Sequence, residues 1–564
     1  MGKFLNFLKS AFQYTPETPY NFTLENSNEK TETQDSSNEP TKINTQLDKN
    51  LEFLKYKYNS LICNDVIIRE FTLCSNNIDY NAFAIYLDGM VDSASINEFV
   101  LSPLMMKNRA NTFNKKQKKY VSEKKVDDVK IKKFQLQQEK DLIKNISNFL
   151  LPQNSVSIKE TFDDVYSSIN MGDCVLFVDS ISIAFDIDVK GFKQRSIEAP
   201  TNEVVVRGSR ESFVENIRTN TALIRKIINN ENLVIEHVNV GKTTKTNVAI
   251  CYLKNLANPD LVSEVNFRIT GLNIDFLISS GQLEQLIQDS PKSLFPQILA
   301  TERSDKAANH LLEGRVVVIV NGSPYVLIMP GVFTDFVASP EDLNFKHYFS
   351  NLERIIRLLA IVLSLLLPGV YISITNYHQE LIPIELLFTI AAARESVPFP
   401  TFIEILLMEI SFELIREAGI RVPTPLGSTI GIVGALILGQ AAVSASIVSP
   451  VLIIIIAITG ICSFCIPDFS LDFTFRIYRF VYIILGYLAG FLGIGFGIFV
   501  QLLLMCKLQS FGAPYLSPYM LNRSKRSISS YFVSPMWKRE YTSKFLHAQK
   551  KYSQGKISMT WRQK

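Results

Sequence analysis

Four glutamates lie in an apolar segment, residues 401–419, among Ile, Leu, Met and Phe side chains: Glu404, Glu409, Glu413 and Glu417. The last three are four residues apart, which places them on one face of a helix. A carboxylate at the centre of a bilayer costs at least about 2.5–3.5 kcal/mol. Such a helix therefore either lies at a membrane interface with a solvated acidic face or lines a route for cations. The sequence leaves both alternatives open.

A second group of polar side chains occurs in the next long apolar stretch. Apolar rings can close a pore by excluding water, so two aliphatic residues with polar neighbours are candidates for a gate. The alternative is that the polar edge makes an ordinary contact within a helix bundle. The candidates for an ion path and gate are Val443, Ile447, Gln440, Ser444, Glu404, Glu409 and Glu413.

No catalytic, cofactor-binding or metal-binding set is recognisable, so we expect neither an enzyme nor a cofactor. The segment from Gly241 to Thr244 resembles the end of a phosphate-binding loop, but Glu236 occupies the position where that loop requires glycine. The histidines have no metal-ligand spacing. They are His237, His310, His347, His378 and His547.

The chain has 564 residues and a formal net charge of +4. Its seven cysteines are scattered and predict no disulfide framework. Residues 1–50 are rich in Asn, Thr, Ser and Glu and are predicted to be a disordered polar tail. Residues 107–144 carry 13 Lys and Arg against five acidic residues. Few aromatic residues interleave with them, which favours a solvated helix or insertion over a site for nucleic acid or anionic lipid.

Residues 51–350 are predicted to form a soluble cytoplasmic α/β domain of two lobes, with a boundary near 191–201. Apolar runs of strand length alternate with helical patterns at 210–229 and 281–288. Asn321-Gly322 between two such runs predicts a hairpin. The predicted strands are 82–87, 175–177, 204–206, 248–253, 315–320 and 324–329.

Residues 351–506 are predicted to form an all-α polytopic transmembrane bundle, because a bilayer core requires about 20 apolar residues per helix. Residues 381–393 are too short to cross and are interpreted as re-entrant, and 401–419 as an amphipathic helix. The predicted spans are 355–375, 427–448, 450–466 and 477–505.

The basic C-terminal tail predicts the orientation of the bundle. Residues 507–564 carry twelve Lys and Arg against one acidic residue, Glu540, which predicts a cytoplasmic location. An even number of spans then places both termini on that side. Small residues spaced for close helix packing occur at Gly431, Ala435, Gly439, Gly486, Gly490, Gly493 and Gly497.

Several motifs resemble the A subunits of GerA-type bacterial spore germinant receptors. In the polar half they are RSIE at 195–198, VVVRGSRESFVENIRTNTALIR at 204–225, GKTTKTNVAICYL at 241–253 and LLEGRVVVIVNGSPYVLIMP at 311–330. In the apolar half they include LLPGVYISITNYHQELIP at 366–383, RESVPFPTFIEILLMEISFELIREAGIRVP at 394–423, GSTIGIVGALILGQAAV at 427–443, SFCIPDF at 463–469 and SFGAPYLSP at 510–518. The resemblance covers about residues 51–520.

The resemblance implies a multi-pass protein of the spore inner membrane whose soluble domain faces the spore core. It implies homo-oligomers that form a nutrient-gated cation channel, with a transporter-like B subunit that binds the nutrient and a lipoprotein C subunit. An amplifying paralogue shares this architecture. Two other functions stay open: a non-conducting scaffold that relays the signal, and a secondary transporter that uses residues 381–393 as a half-helix.

Overall fold

A computed structural model shows an α/β region of two lobes followed by a helical bundle, which confirms the predicted fold class. Described α-helices of at least five residues are numbered α1 to α12. The residues that the structure describes are 22–24, 42–75, 78–105, 140, 142–153, 155–191, 200, 203, 205, 207–421, 437–517, 532–538 and 544–550.

The first lobe is a five-stranded antiparallel sheet in the order β1-β2-β4-β5-β3. Two helices cover one face, and an insert between β2 and β3 covers the other. The elements are α1 Leu47–Lys57, β1 Val66–Ser75, β2 Ile78–Leu87, β3 Val156–Lys159, α2 Phe162–Asn170, β4 Cys174–Val178 and β5 Ala184–Ile187.

The second lobe repeats this plan, with the strand order β6-β7-β9-β10-β8 and all neighbours antiparallel. Helix α3 corresponds to α1, α6 to α2, and the pair α4 and α5 to the insert. The elements are α3 Ile217–Ile227, β6 Leu233–Val240, β7 Thr246–Leu253, α4 Pro259–Thr270, α5 Ser280–Ile287, β8 Leu299–Thr301, α6 Ser304–Leu312, β9 Val316–Val320, β10 Val326–Met329 and α7 Phe333–Val337.

The central strand of each sheet is buried on both faces because it serves two hydrophobic cores. In β9, Val317 and Ile319 join the core under α3 and α6, whereas Val316 and Val318 join the core under α4 and α5. This alternation is the two-residue period of a strand. The core under α3 and α6 continues into the helical bundle through residues such as Phe475.

A buried ion pair joins the two lobes. Arg225 at the end of α3 donates Nε to Asp65 Oδ2 at 2.6 Å and a second N–H to Asp65 Oδ1 at 2.9 Å. Asn64 also donates its backbone N–H to the carbonyl of Ile235 in β6 at 3.2 Å. Burial, reinforced by the charge of Asp65, raises the pKa of the neighbouring Cys63 thiol to about 12. Cys63 is therefore a protonated thiol at neutral pH.

The helical region follows α7. Helices α8 and α12 are long and apolar enough to cross a membrane, and α11 is a shorter apolar helix. Predicted spans 355–375 and 450–466 overlap α8 and α11, most of the re-entrant segment is α9, and the amphipathic segment lies within α10. The elements are α8 His347–Tyr377, α9 Ile384–Glu395, α10 Thr401–Arg421, α11 Pro450–Phe464 and α12 Phe469–Lys507.

Helix α12 is a helical hairpin, not the single span predicted at 477–505. Gly490 has φ 59° and ψ −141°, and the chain reverses there. The Tyr482 hydroxyl donates to Gln501 Oε1, although a straight helix would hold residues 19 positions apart about 28 Å from each other. The hairpin therefore has a first arm, residues 469–489, and a second arm, residues 491–507.

Both ends of this hairpin contact the second lobe. Thr474 Oγ1 donates to the carbonyl of Leu294 at 2.5 Å, and Ser510 Oγ donates to the carbonyl of Gln297 at 2.5 Å. Between these anchors, the Phe295 ring stacks on Tyr478 with centroids 5.4 Å apart. We call this end of the bundle the proximal end.

The opposite, distal end is where α8 meets the turn of the hairpin. Tyr377 donates its hydroxyl to the carbonyl of Tyr487 at 2.7 Å, and the His378 ring stacks on Phe491 at 4.8 Å. A Cβ added at Gly490 would lie 3.3 Å from both residues of the Tyr377-His378 pair. Helix α8 and the first arm therefore run side by side in the same direction, from the proximal to the distal end.

Both tails are shorter than the predicted ranges, 1–50 and 507–564, because parts of these segments pack on the lobes. Ile43 and Asn50 are buried and α1 begins at Leu47, so the first lobe begins before residue 51. After α12, the strands β11 Gln509–Ser510 and β12 Ala513–Pro514 form a hairpin. Leu546, far into the predicted cytoplasmic tail, is fully buried.

Most predicted strands and helices of the polar half coincide with observed ones. The strand predicted at 204–206 is not confirmed, since residue 205 has no regular structure and its neighbours lie outside the described residues. The helix predicted at 210–229 begins later, at Ile217. The turn at Asn321-Gly322 exists, but its loop is longer than two residues and, of the pair, Gly322 alone has positive φ. Most of 107–144 lies outside the described residues, and so do residues 427–436 of the predicted span 427–448.

The ion pair between the lobes supplies a test of their association. Arg225→Met leaves the Asp65 carboxylate buried without a counter-charge, and we expect it to lower the free energy of unfolding by about 3–5 kcal/mol. Hydrogen–deuterium exchange of β1 and β6 in the full-length chain measures this. Lys226→Met is the matched control, because Lys226 is 47% exposed and its pair with Glu211 is worth less than about 1 kcal/mol. Equal protection in the two variants would contradict the prediction.

Candidate functional site

Arg479, on the first arm of the hairpin, joins three helices of the bundle. Its Nε donates to the carbonyl of Ser364 in α8 at 2.7 Å, and one terminal nitrogen donates to Glu409 Oε2 in α10 at 2.9 Å. Pro368 lies inside α8, four residues after Ser364. Proline has no N–H, so it leaves the Ser364 carbonyl without its helical partner. Arg479 supplies the missing donor.

Two further ion pairs continue from Arg479 toward the proximal end. Glu413 accepts from Arg476 at 2.6 Å, and Asp472 accepts from Arg416 at 3.2 Å. Along α10, the charged side chains that take part are two acids followed by a base. Along the first arm, which runs antiparallel to α10, they are an acid followed by two bases. We call the set the ion-pair ladder, and its three rungs are Glu409–Arg479, Glu413–Arg476 and Arg416–Asp472.

A solvated acidic face is one of the two alternatives that the sequence leaves open for residues 401–419. The structure instead pairs the carboxylates of the ladder with arginines. Glu409 is 0% exposed and Glu404 is 1% exposed. The physical reason is the set of arginines on the first arm, which replaces water as the partner of the carboxylates. The sequence analysis did not single out Asp472, Arg476 and Arg479. Their spacing of four and three residues, which repeats that of Glu409, Glu413 and Arg416, is the signal that predicts two facing helices.

Glu404 lies at the distal end, apart from the ladder. Its Oε1 accepts the backbone N–H of Ser449 at 2.5 Å, directly before α11. The carboxylate thus caps the N-terminus of that helix, where unpaired N–H groups and the helix dipole favour negative charge. The glutamates predicted together as ion-path candidates therefore lie in two different environments.

The four gate candidates lie in a short segment that leads to this capped end. The segment begins with a π-helical turn, Ile437–Ala441, and one α-helical turn, Ala442–Ser444, and Ile447 follows these turns. Ile447 is 39% exposed, Gln440 and Ser444 are exposed, and Val443 is half-buried. The structure therefore does not bring these residues together with Glu409 or Glu413.

The predicted packing glycines have different surroundings. A Cβ at Gly486 would lie 2.6 Å from the Gly369 carbonyl of α8, so two helix backbones touch there. Gly490 forms the turn of the hairpin, and Gly493 and Gly497 lie against the first arm. Gly439 has no atom within 4 Å of an added Cβ. The remaining two, Gly431 and Ala435, lie outside the described residues.

Two carboxyl groups face each other where the second lobe meets the proximal end. Burial, followed by the charge of Asp468, raises the pKa of Glu284 in α5 to about 7. Burial also raises the pKa of Asp468, the N-cap of α12, with Lys306 opposing the shift and Glu203 adding to it. Glu284 therefore changes charge near neutral pH at a contact between the lobe and the hairpin.

Comparisons with known proteins cover both halves of the chain. A family profile described as Bacillus/Clostridium GerA spore germination protein matches residues 52–545. The chain belongs to the GerA family. It is 37% identical to Spore germination protein KA of Bacillus subtilis (strain 168) over 523 residues, which are 93% of this chain and 91% of that protein. It is 35% identical to Spore germination protein B1 of the same organism over 481 residues, 85% of this chain and 92% of that protein.

A solved structure is also similar to the N-terminal half. It is a crystal structure of the N-terminal domain of the A subunit of the Bacillus megaterium spore germinant receptor GerK3, with 29% identity and a TM-score of 0.37. The match covers 52% of this chain and 99% of that one. The GerA family match confirms the resemblance seen in the sequence: the chain is a spore germination protein of the germinant-receptor A-subunit type. The GerA family is not known as one of enzymes.

The ion-pair ladder predicts a non-additive response to neutralisation in this GerA protein. Glu409→Gln and Arg479→Gln each leave one buried charge alone, and each should lower the free energy of unfolding by about 3–5 kcal/mol. The double variant removes both charges and should cost less than either single change. Thermal unfolding of the full-length chain in detergent measures this. Glu417→Gln, an exposed site on the same helix, is the control. Additive losses would contradict the ladder.

Glu284 predicts a pH-dependent contact at the proximal end. Its folded-state pKa of about 7 lies above the ordinary value of 4.5, so its stabilising contribution is complete below about 4.5 and is lost as the pH rises through about 7. Hydrogen–deuterium exchange of α5 and the start of α12, corrected for the intrinsic rate, should show protection falling between pH 5.5 and 8. Glu284→Gln should flatten that slope. Asp275→Asn, an exposed control in the same lobe, should keep it. An unchanged slope in Glu284→Gln would contradict the assignment.

Proposed function

We propose that this protein is the A subunit of a nutrient germinant receptor and forms an oligomeric, nutrient-gated cation channel in the spore inner membrane. The observation that carries the proposal is the family match across residues 52–545, which includes the lobes and the bundle alike. A transporter-like B subunit and a lipoprotein C subunit complete the receptor, as the resemblance implies. Nutrient binding to the B subunit then opens the bundle of the A subunits.

The proposed topology has six crossings instead of the four predicted from hydropathy. Helix α8 and the first arm lead from the proximal to the distal end, whereas α10, α11 and the second arm return. Helix α10 ends at Arg421 beyond the proximal rung, and α11 begins next to Glu404 at the distal end. We propose that the predicted span 427–448, which lies between these two ends in the sequence, is the sixth crossing. Because the proposed number of membrane crossings is even, the lobes and the basic tail lie on the same side. The positive charge of the tail makes that side the cytoplasmic, spore-core side.

The proposed gate is the segment that contains Val443 and Ile447. Exposed Gln440 and Ser444 give it a polar edge, and a second copy of the chain is the proposed neighbour of that edge. The carboxylates of Glu409 and Glu413 are held by arginines. In this proposal they therefore fix the position of α10 and are not free ligands for the passing ion. An apolar constriction at Val443 would close the path by excluding water.

One observation favours a second candidate, the non-conducting relay. All three rungs of the ladder are paired within one chain, so the described bundle can transmit movement without offering these charges to an ion. A relay subunit predicts nutrient binding by the complex with no ion flux that depends on the A subunit.

Potassium efflux from liposomes that contain this chain with its B and C subunits tests the proposal. We expect efflux on addition of the correct nutrient, chosen from amino acids and sugars. Val443→Ala should widen the constriction and give a severalfold leak without nutrient. Val362→Ala is the matched control, because Val362 is exposed on α8. Nutrient binding without efflux in an intact complex would favour the relay, and an unchanged leak in Val443→Ala would remove Val443 from the gate.

A further inference from the structure

Three buried side-chain oxygens near the distal end make no hydrogen bond of standard geometry among the described residues. They are Glu404 Oε2 in α10, Tyr371 Oη in α8 and Ser449 Oγ directly before α11. The exposed fractions of these residues are 1%, 8% and 0%. A buried polar atom without a partner loses its hydration and gains nothing in return. Three such oxygens from three different helices point to a missing ligand.

The three oxygens lie in one place. Glu404 accepts the N–H of Ser449 at 2.5 Å, which brings the carboxylate to the start of α11. Glu404 acts electrostatically on the Tyr371 hydroxyl, and the Ser449 hydroxyl lies close enough to act as a hydrogen-bond partner of Tyr371. Tyr371 also shares one buried apolar cluster with Ile405 and Val448, the neighbours of the other two residues. The three side chains therefore come together in apolar surroundings.

Among the described residues, no cationic side chain is bonded to the site to balance its negative charge. The arginines of the ladder are bound to Glu409, Glu413 and Asp472. Arg394 is within electrostatic range of Tyr371, yet among the described residues it makes no ion pair with Glu404. The N-terminus of α11 offsets part of the negative charge. What remains is less than one full charge, which suits a monovalent ion better than a divalent one.

We propose that Glu404, Tyr371 and Ser449 bind one alkali-metal cation, K⁺ or Na⁺, at the distal end of each chain. Carboxylate, phenol and hydroxyl oxygens are ligands that hard cations accept, and none of the three oxygens makes a hydrogen bond of standard geometry. The ion holds α8, α10 and the start of α11 together, next to the segment that carries Val443. The site goes beyond the proposed channel, because a relay subunit would hold the same ion.

Thermal unfolding of the full-length chain with its B and C subunits in lipid nanodiscs tests the site. Midpoints are measured in KCl, NaCl and N-methyl-D-glucamine chloride at constant ionic strength, since a ligand that binds the native state raises the midpoint with its concentration. We expect a rise with K⁺ or Na⁺ over the organic cation. Tyr371→Phe keeps the ring and should raise the half-maximal concentration about tenfold.

Glu404→Gln should abolish the rise, and Glu417→Gln, on the exposed part of the same helix, should keep it. Equal midpoints of the unaltered protein in all three salts would overturn the proposal and leave water as the occupant. A full rise in Glu404→Gln would also overturn it. Where that variant does not fold, an unchanged half-maximal concentration in Tyr371→Phe decides against the site. Potassium efflux is recorded separately, so efflux without a rise rejects the site alone, and a rise without efflux rejects the channel alone.

Discussion

The bundle depends on one constraint: a charged or unpaired polar group inside it needs a partner in the protein or a bound ion, because lipid offers none. Arg479 meets this constraint for two helices at once. Its guanidinium binds the carbonyl that Pro368 leaves open in α8 and the carboxylate of Glu409 in α10. A proline, a glutamate and an arginine from distant parts of the sequence thereby define how three helices pack. The rest of the ladder follows from that alignment.

Local patterns in the sequence predict much of this architecture. Strand-length apolar runs such as 248–253 and 315–320 become central strands because their side chains are buried on both faces of the sheets. The four-residue spacing of Glu409 and Glu413 correctly places them on one helical face. What the pattern cannot supply is the partner of that face. A solvated surface and a buried ladder require the same spacing on α10, and the distinction depends on Arg476 and Arg479 some 60 to 70 residues away.

Other features depend on tertiary contacts that leave no local signal. The glycines Gly486, Gly490, Gly493 and Gly497 follow one another in a single apolar run, and nothing in their spacing shows that Gly490 alone reverses the chain. The common strand order of the two lobes is likewise visible in the structure alone. The basic tail is polar by composition, yet Leu546 is buried because a few apolar residues suffice to anchor a segment. Composition describes the average of a segment, whereas docking depends on single side chains.

The loop between α5 and β8 accepts hydrogen bonds from both ends of the hairpin within four consecutive residues, from Leu294 to Gln297. The arms therefore cannot slide past each other without breaking a contact to the same short piece of chain. The hairpin is therefore expected to move as one rigid unit that pivots at the second lobe and extends to Gly490. With arms of about 30 Å, a small tilt at the loop becomes a much larger sideways displacement beside Tyr377. A movement in the soluble half is thus magnified at the opposite face of the bundle.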